Sequence, residues 1–411
     1  MRACRLTAIA ILATIAAGAI HGAAQNWLQW RGPDRNGMVA SFTAPPSWPD
    51  QLQQQWKVEV GLGYATPLVD GAHIYMFSRK GEEEVMSALN AATGETLWET
   101  GYPVSFTMNS AAARHGPGPK STPVLSDGRL FAIGMIGTVT AFDAATGEIV
   151  WQHPGSADLM PTYTTHSFSP LVDRGLVYFH IGGHNQGALT AYDVNTGGVK
   201  WSWEGDGPGY GSPILADLGG TRQIITITQG KFVGLDAATG VLLWEYDYPS
   251  RNFTNSMTPL LYGQTLIISA TSRPVSAIRV EKRNNQWVPE LLWENEEATM
   301  RMSNGVIVQD MLFSLSTRNS GQYFSIDAKT GETLWLSAPR QAENAAILRA
   351  GNLVFSLEND GEMVVFRNNQ KAFEPIRRYK LAETDTWTQP TFSGNRVFVK
   401  DVSTLTLWTW D

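Results

Sequence analysis

The sequence predicts an all-β fold, an eight-bladed β-propeller made of four-stranded antiparallel blades. Three observations lead to this fold class: a short apolar strand recurs eight times, an aromatic residue recurs once in each interval, and a glycine-containing turn lies between them. A repeat of about 40 to 50 residues is typical of propellers and solenoids. We expect each repeat to form one blade.

The first repeated element is a short apolar strand that follows a Ser-Pro or Thr-Pro pair. Thr122-Pro123-Val124-Leu125 is a representative copy. Clear copies occupy residues 66–69, 122–125, 169–172, 212–215 and 258–261, and weaker copies occupy residues 304–307, 345–348 and 389–392. Eight copies predict eight blades.

The second repeated element is an aromatic residue near the end of each unit. One indole per repeat at a fixed position is a packing device, because it fills the gap between adjacent sheets and buries about 150 to 250 Å². The predicted docking residues are Trp56, Trp98, Trp151, Trp201, Trp244, Trp293 and Trp335, with Tyr379 as a degenerate eighth copy.

A turn signature separates the strands that carry these two elements. In Asp143-Ala144-Ala145-Thr146-Gly147 the aspartate can close an Asx turn and the glycine can take a positive φ. Related turns occupy residues 90–94, 143–147, 193–197, 236–240 and 327–331. We interpret the aspartate as a turn-forming residue and not as a catalytic acid.

Each unit is expected to hold four strands, for example at residues 123–126, 129–134, 138–142 and 148–151. Eight such sheets fit a propeller better than a sandwich, because radial closure leaves few exposed edges. The last unit, residues 389–411, supplies only three strands, whereas residues 54–60 form an orphan strand with its own tryptophan. We predict that the orphan strand completes the last blade and closes the ring.

The repeat resembles the quinoprotein-type, or PQQ-like, propeller family, whose docking pattern is approximately A-x-D-x-x-T-G-x-x-x-W. Residues 141–151 match this pattern throughout, and residues 234–244 match it except that Gly234 replaces alanine. The resemblance covers residues 53–411. The opening Trp27-Leu28-Gln29-Trp30-Arg31-Gly32-Pro33 is also similar to uncharacterised exported members of the family.

The N-terminus predicts export. Arg2 and Arg5 precede an apolar stretch and small residues at 22–24, as in a cleavable secretory signal, so we assign residues 1–24 to a signal peptide and 25–52 to an N-terminal strap. We expect a periplasmic or secreted protein with no membrane span. Cys4 is the only cysteine and precedes the apolar stretch, so we expect no disulfide, no thiolate metal site and no lipid anchor.

Net charge narrows the range of partners. The chain carries 38 acidic against 31 basic residues, a formal charge of −7. Nucleic acid binding needs a basic footprint, so we expect no nucleic acid partner. We expect a monomer that binds an exported protein partner or an anionic small molecule.

Strand direction predicts which loops could form a binding site. The connections between the second and third strands, and those between blades, emerge on one face, while the Thr-Gly turns lie on the other. Loops that carry many Arg, Lys, His and Asn side chains could hold an anion through charge-assisted hydrogen bonds. The candidate ligand-binding residues are Arg114, His115, Lys120, His166, His184, Asn185, Tyr210, Asn255, Arg273, Arg301, Arg318 and Trp387.

Three functions are compatible with these residues. The resemblance implies first a noncatalytic binding or assembly scaffold, similar to the propeller that helps to build outer-membrane proteins. It implies as an alternative a PQQ-dependent dehydrogenase for an alcohol or sugar, in which calcium would polarise the quinone. The third function is carbohydrate binding, with Tyr64, Tyr210 and Trp387 as stacking plates.

Neither a catalytic residue nor a metal ligand can be assigned from the sequence. His115, His166 and His184 belong to different blades and lack short-range ligand spacing. Glu358-Asn359-Asp360 offers calcium-type ligands side by side, but a polar turn explains it equally well. We therefore predict no metal site and no cofactor, with PQQ and calcium as the alternative.

Overall fold

The computed structural model describes residues 26–161 and 163–410, which form eight four-stranded antiparallel sheets. In seven sheets the strands follow one another in chain order, from the innermost to the outermost. The predicted eight-bladed propeller is confirmed. The predicted signal peptide, residues 1–24, lies outside the described residues.

Blades 1 to 4 account for sixteen strands. Blades 1 and 2 comprise β2 (Leu68–Asp70), β3 (His73–Lys80), β4 (Glu83–Asn90), β5 (Thr96–Pro103), β6 (Val124–Ser126), β7 (Arg129–Ile133), β8 (Val139–Asp143) and β9 (Ile149–His153). Blades 3 and 4 comprise β10 (Leu171–Asp173), β11 (Leu176–Gly183), β12 (Gln186–Asp193), β13 (Val199–Trp203), β14 (Ile214–Leu218), β15 (Thr221–Ile227), β16 (Lys231–Asp236) and β17 (Leu242–Asp247).

Blades 5 to 8 repeat this order, and the last blade also takes a strand from the start of the chain. Blades 5 and 6 comprise β18 (Leu260–Tyr262), β19 (Thr265–Ala270), β20 (Arg273–Arg283), β21 (Gln286–Asn295), β22 (Val306–Val308), β23 (Met311–Ser316), β24 (Gln322–Asp327) and β25 (Thr333–Leu336). Blades 7 and 8 comprise β26 (Ala345–Ala350), β27 (Leu353–Glu358), β28 (Glu362–Arg367), β29 (Pro375–Lys380), β30 (Thr391–Ser393), β31 (Arg396–Lys400), β32 (Thr404–Thr409) and β1 (Gln53–Glu59).

Four short 3₁₀ helices lie in the connections. They are η1 (Ser110–His115), η2 (Ala157–Leu159), η3 (Arg251–Phe253) and η4 (Arg318–Ser320). The first three lie between blades, and η4 joins the second and third strands of blade 6.

Ring closure follows the predicted route. Strand β1 pairs antiparallel with β32, with Gln54 opposite Trp408 and Glu59 opposite Thr404. The register shifts by one residue just before Trp56. The first and last parts of the propeller are thus held in one sheet, and the prediction for the orphan strand is confirmed.

The repeated turn joins the third and fourth strands of a blade. In blade 2, Asp143 Oδ1 accepts hydrogen bonds from the backbone N–H groups of Ala145 and Thr146, both at 2.9 Å. Gly147 has a φ of +79°, and a Cβ placed there would come within 2.5 Å of the Trp98 ring of blade 1. Glycine is needed at this position both for the turn and for the close approach of the indole.

The repeat tryptophans hold neighbouring blades together in the same region. In three cases the indole N–H donates to the carbonyl that follows the turn Asp of the next blade. These bonds join Trp98 to Ala144 (3.2 Å), Trp151 to Val194 (3.1 Å) and Trp201 to Ala237 (3.3 Å). Each contact combines an apolar ring face with a satisfied donor, and it ties a blade to the next one along the chain.

Blade 5 departs from the repeat. Its third and fourth strands, β20 and β21, form a long hairpin with a two-residue turn at Asn284 and Asn285. Because this hairpin replaces the Asp-x-x-Thr-Gly turn, Trp244 of blade 4 bonds instead to Gln223 Oε1 of its own blade, at 2.7 Å. Trp287 of the hairpin packs against the hydrophobic cluster shared by blades 4 and 5.

The Ser/Thr-Pro pairs form a belt of hydrogen bonds around the centre of the ring. In each link a backbone N–H of one blade donates to the side-chain oxygen of the equivalent residue in the next blade. The donor and acceptor residues are Thr66 and Thr122 (3.0 Å), Thr122 and Ser169 (3.0 Å), Ser169 and Ser212 (3.0 Å), Ser212 and Thr258 (3.1 Å), and Thr258 and Asn304 (2.7 Å). The belt therefore links the inner strands of blades 1 to 6.

Candidate functional site

The two faces of the ring are built from different connections. We call loop face the side that holds the interblade loops and the connections between second and third strands. We call turn face the side that holds the connections between first and second strands and between third and fourth strands. The antiparallel order of every blade produces this division, as the sequence predicts.

A cavity of about 160 Å³ opens at the centre of the loop face. Its wall combines aromatic rings, hydroxyl groups, amides and two cationic side chains. The lining residues are Trp30, Tyr64, His115, Lys120, Tyr163, Thr164, Ser167, Ser169, Tyr210, Ser212, Thr254, Ser256, Thr258, Arg301, Met302, Asn304, Asn344 and Trp387. All eight interblade loops and the N-terminal segment contribute to this site.

Helix η1 lies beside the mouth of the cavity, and we call it the lid. Arg114 makes a bidentate ion pair with Glu343 of the loop before blade 7, at 2.8 and 2.9 Å. The same guanidinium stacks over the Trp387 ring of the loop before blade 8, 5.1 Å from its centroid. Tyr163 of the loop before blade 3 donates its hydroxyl to the Ala111 carbonyl at 3.0 Å. The lid is therefore held from three other blades.

Burial lowers the pKa of His115 in the lid and of Lys120, which follows the lid in the same loop. Desolvation, together with the nearby Lys120, Arg114 and Arg301, lowers the pKa of His115 to about 4, so its imidazole is neutral at pH 7. The ring packs edge-on against Trp387 at 4.8 Å. Burial lowers the pKa of Lys120 to about 8, and its ammonium donates to the Gly116 and Gly118 carbonyls at 3.0 Å.

The N-terminal segment, residues 27–39, crosses the centre of the ring beneath the cavity. Arg31 donates to the Asn304 and Gly305 carbonyls of blade 6, at 3.1 and 2.6 Å. Arg35 donates to the Ser169 and Pro170 carbonyls of blade 3, at 2.9 Å each. Both guanidinium groups are buried, and desolvation lowers the pKa of each to about 9.

Trp30 of this segment reaches the cavity and forms part of its floor. Its indole N–H donates to Thr258 Oγ1 of the hydrogen-bonded belt at 3.2 Å. Trp27 pairs with Val69 of blade 1, and Val39 bonds to the Arg349 carbonyl of blade 7. The predicted strap is thus continuous with the propeller core, and it closes the centre between the two faces.

The structure brings together about half of the ligand-binding residues predicted from the sequence. His115, Lys120, Tyr210, Arg301 and Trp387 line the cavity. Arg114 lies beside it through its contact with Trp387.

Two predicted residues lie between blades, away from the cavity. His166 is buried, with its ring nitrogens 3.1 Å from the Met135 carbonyl and 3.3 Å from the Gly182 amide nitrogen. Asn255 is wholly buried and donates to three backbone carbonyls, those of Thr228, Gln229 and Tyr248. Backbone groups satisfy the His166 ring nitrogens and the Asn255 side-chain nitrogen, so both residues hold loops in place.

The remaining predicted residues lie on the loop face outside the cavity. His184 and Asn185 form an exposed tip, where the His184 ring contacts Phe253 at 4.6 Å. The Arg273 guanidinium stacks over Tyr248 at 4.6 Å. Arg318 is exposed at the start of η4.

The residues considered as metal ligands have other partners. Tyr323 donates to Glu358 at 2.6 Å, and burial raises the pKa of this glutamate to about 7. Asn359 exchanges two hydrogen bonds with Asn344, and Asp360 accepts from the Glu362 backbone. Within residues 26–161 and 163–410, no group of three or more His, Cys, Asp or Glu side chains could hold a metal ion.

Sequence reasoning missed several residues that shape the site. Trp30, Tyr163 and Glu343 were not predicted, because nothing local marks a strap tryptophan or a loop residue that reaches across the ring. The serine and threonine of the Ser/Thr-Pro pairs were recognised only as strand starts. Their position before the first strand of every blade was the available signal, since it places them all around the centre.

The chain matches the model of a known protein family. The model of a family described as outer membrane protein assembly factor BamB matches residues 81–335, which is more than half of the chain. No helix in the described part of the chain is long and apolar enough to cross a membrane.

Proteins similar to this chain include assembly factors and dehydrogenases. The chain is 26% identical over 263 residues to outer membrane protein assembly factor BamB of Shewanella oneidensis, which covers 60% of each protein. The match with the Yersinia pestis protein of the same name is 22% identical and covers 73% of this chain and 74% of that one. Quinohemoprotein alcohol dehydrogenase ADH-IIG of Pseudomonas putida is 29% identical over 36% of this chain and 21% of its own length.

Solved structures support the fold. BamB from Moraxella catarrhalis matches with a TM-score of 0.61 at 17% identity, over 87% of this chain and 99% of that one. Quinohemoprotein alcohol dehydrogenase from Comamonas testosteroni matches with a TM-score of 0.66 at 14% identity, over 95% and 81%. At these identities the two structures share the propeller fold with this chain, and function has to be argued from the site.

Proposed function

Because this chain belongs to the family described as outer membrane protein assembly factor BamB, we propose that it is a noncatalytic scaffold that binds a protein partner through its loop face. We further propose that it acts in an exported compartment and contributes to outer-membrane protein assembly, as the names of its relatives indicate for them. The Shewanella match spans less than two thirds of that relative, so the partner also belongs to the proposal.

One observation carries the proposal: the interblade loops place aromatic and arginine side chains around one face. Protein interfaces are enriched in Tyr, Trp, Phe and Arg, which supply contact area at small entropic cost. Phe253 is 40% exposed beside His184, and Arg114, Tyr163 and Trp387 lie around the lid. These side chains belong to loops of different blades, so they do not follow the repeat.

The N-terminal segment supports a surface role for this face. Residues 27–39 cross the centre of the ring, so the loop face and its cavity lie above a floor formed by this segment. Several exposed apolar residues elsewhere follow the repeat: Leu97, Val199 and Val241 each lie near the start of an outer strand. Apolar residues distributed singly around a circumference are ordinary and do not form one large patch.

The dehydrogenase alternative does not fit the residues present. Calcium would need clustered oxygen ligands, whereas Glu358, Asn359 and Asp360 are engaged with neighbouring residues. The cavity on the loop face, at about 160 Å³, is smaller than the roughly 300 Å³ at which pockets for larger ligands begin. We therefore derive no redox step for this chain.

Complementation tests the scaffold function. The gene is deleted from its source organism, and folded outer-membrane β-barrels are measured by their heat-dependent gel mobility. The wild-type gene should restore them. The loop-face variant His184→Ser with Phe253→Ser should fail, because it removes an exposed aromatic contact without touching the core.

A matched variant controls for loss of surface apolar area. Val199→Ser with Val241→Ser changes two side chains that are each 58% exposed on the outer strands near the turn face. This variant should restore the barrels fully. A deletion that leaves barrel levels unchanged, or full restoration by the loop-face variant, would contradict the proposal.

A further inference from the structure

The wall of the central cavity carries positive charge and contains no carboxylate. Lys120 and Arg301 line its wall, and none of the eighteen lining residues is an aspartate or glutamate. Arg114, the next cation, is already paired with Glu343 outside the wall. A partly buried cation is stabilised by an anion that donates no proton and accepts hydrogen bonds.

Three buried hydroxyl groups add donors to the same wall. Ser169, Ser212 and Thr258 are at most 3% exposed, and each oxygen accepts a backbone N–H of the belt. An oxygen that accepts in this way keeps its own proton for donation. Within the described chain none of the three protons is donated to another group. Buried donors without acceptors are costly, so an acceptor in the cavity would stabilise the site.

The remaining wall is aromatic and the space is small. Tyr64, Tyr210, Trp387 and Trp30 supply ring faces or edges around the cavity. Its volume is about 160 Å³. An apolar cavity of about 150 Å³ holds one benzene-sized ring. The site is therefore of the right size for one ring and a small polar group.

We propose that this cavity binds a small organic anion in which a carboxylate is joined to a single ring. The carboxylate accepts from Arg301, Lys120 and the belt hydroxyls, and the ring packs against the tyrosines and Trp387. This binding function is separate from the scaffold function, and neither depends on the other. A free ring acid and a chain-terminal aromatic residue share this chemistry.

The lid gives the site a way to close. Helix η1 contributes His115 to the wall, and Arg114 and Ala111 hold the helix to residues of other blades. Because burial keeps His115 neutral at pH 7, it adds no charge to the site and can pack against a ring. A bound ligand should therefore slow the exchange of the lid amides.

Calorimetry on the purified full-length mature chain tests the proposal with benzoate and benzamide. The two probes have the same ring and nearly the same shape, and only benzoate is charged. Benzoate should bind with one site per chain, and benzamide at least roughly tenfold more weakly, since a charge-assisted pair is lost. Absence of benzoate binding at millimolar concentration, or equal affinities for the two probes, would overturn the proposal.

A variant locates the site. Arg301→Gln removes a half-buried cation whose guanidinium makes no hydrogen bond within the described chain, and it should weaken benzoate binding roughly tenfold. Arg367→Gln makes the same change at an exposed position on the turn face, and it should leave binding unchanged. An equal effect of both variants would contradict the assignment of the cavity.

A third probe separates the two sources of the ligand. N-acetylphenylalanine carries the carboxylate, ring and amide of a chain-terminal residue. If it binds more tightly than benzoate, the natural ligand is a chain terminus, and if it binds more weakly, the ligand is a free ring acid. Either result is consistent with a ligand that has a carboxylate and one ring. The comparison of benzoate with benzamide tests the proposal itself.

Discussion

The turn face and the loop face of this ring are made from the same strands, and they differ in what the repeat supplies. On the turn face, an Asp-x-x-Thr-Gly turn satisfies its own backbone and receives the tryptophan of the preceding blade, as at Asp143 and Trp98. On the loop face, side chains that are not part of the repeat add contacts between distant blades, such as the ion pair of Arg114 with Glu343.

One carboxylate from each face shows the same contrast, because the pKa is lowered for the first and raised for the second. Hydrogen bonds from the backbone of Thr146 and Ala145 lower the pKa of Asp143 on the turn face. On the loop-face side of blade 1, burial raises the pKa of Glu84 to about 7. The comparison indicates that the repeated turn and its tryptophan stabilise the fold, whereas the non-repeated residues of the loop face, together with the belt hydroxyls, supply polarity that a binding site can use.

The largest effect is expected from a change at the repeated turn. In Gly240→Val a side chain is added at a φ of +73°, where a Cβ would lie 2.4 Å from the Trp201 ring. Backbone strain and overpacking together should lower the free energy of unfolding by about 4 kcal/mol. Urea unfolding followed by tryptophan fluorescence measures the change.

Gly263→Val is the matched control. Gly263 also has a positive φ, +60°, but an added Cβ would meet no atom within 4 Å. It should cost only the backbone strain, about 1 to 2 kcal/mol. Equal losses of unfolding free energy in the two variants would mean that the close approach of the indole to Gly240 does not contribute to the effect.

The second prediction concerns pH and the two carboxylates. Burial raises the folded-state pKa of Glu84 from 4.5 to about 7, so its contribution to stability is present below pH 4.5 and is lost as pH rises through 7. The free energy of unfolding of Glu84→Gln, relative to that of the wild type, should therefore rise from pH 5 to pH 8 by up to about 3 kcal/mol. Unfolding at the two pH values measures the gain.

Asp143→Asn should show the opposite dependence. Because the folded-state pKa of Asp143 is lowered, its contribution is present at neutral pH and is lost as pH falls through the acid range. The asparagine variant should be less stable than the wild type at pH 7, and the deficit should shrink in acid. If the difference in free energy of unfolding from the wild type changed with pH in the same direction for both variants, this distinction between the faces would be contradicted.

The smallest effect is expected at the lid. Glu343→Gln removes the charge that pairs with Arg114 while both side chains remain nearly half exposed, so stability should fall by less than about 1 kcal/mol. Amides of Ser110–His115 should exchange with deuterium up to about fivefold faster. Glu332→Gln, an exposed change on the turn face, should leave exchange at the lid unchanged. Unaltered lid exchange in Glu343→Gln would argue that the ion pair does not hold the helix.

The fold was predictable from the sequence because its determinants recur. Trp151 and Gly147 have equivalents in other blades, and the missing strand of the last unit identifies β1 as the closing strand. The structure of blade 5 was harder to predict, because the β20–β21 hairpin replaces the repeated turn and Trp244 forms its hydrogen bond with Gln223 instead.

The candidate site was predictable only in part. Strand direction identifies the loop face, and His115, Lys120, Tyr210, Arg301 and Trp387 meet there. Sequence could not assign His166 and Asn255 to interblade packing, because their backbone partners are distant in the chain. Nor could it place Trp30 beneath the cavity, since the course of the N-terminal segment depends on Arg31 and Arg35 meeting carbonyls of two different blades.

Site-specific photocrosslinking in cells of the source organism tests the division between the two faces most directly. A photoreactive phenylalanine analogue is placed at Phe253 on the loop face or at Val241 near the turn face, both exposed positions. The account predicts a crosslink to a component of outer-membrane protein assembly from position 253 and none from position 241. A crosslink to such a component from position 241, with none from 253, would contradict it.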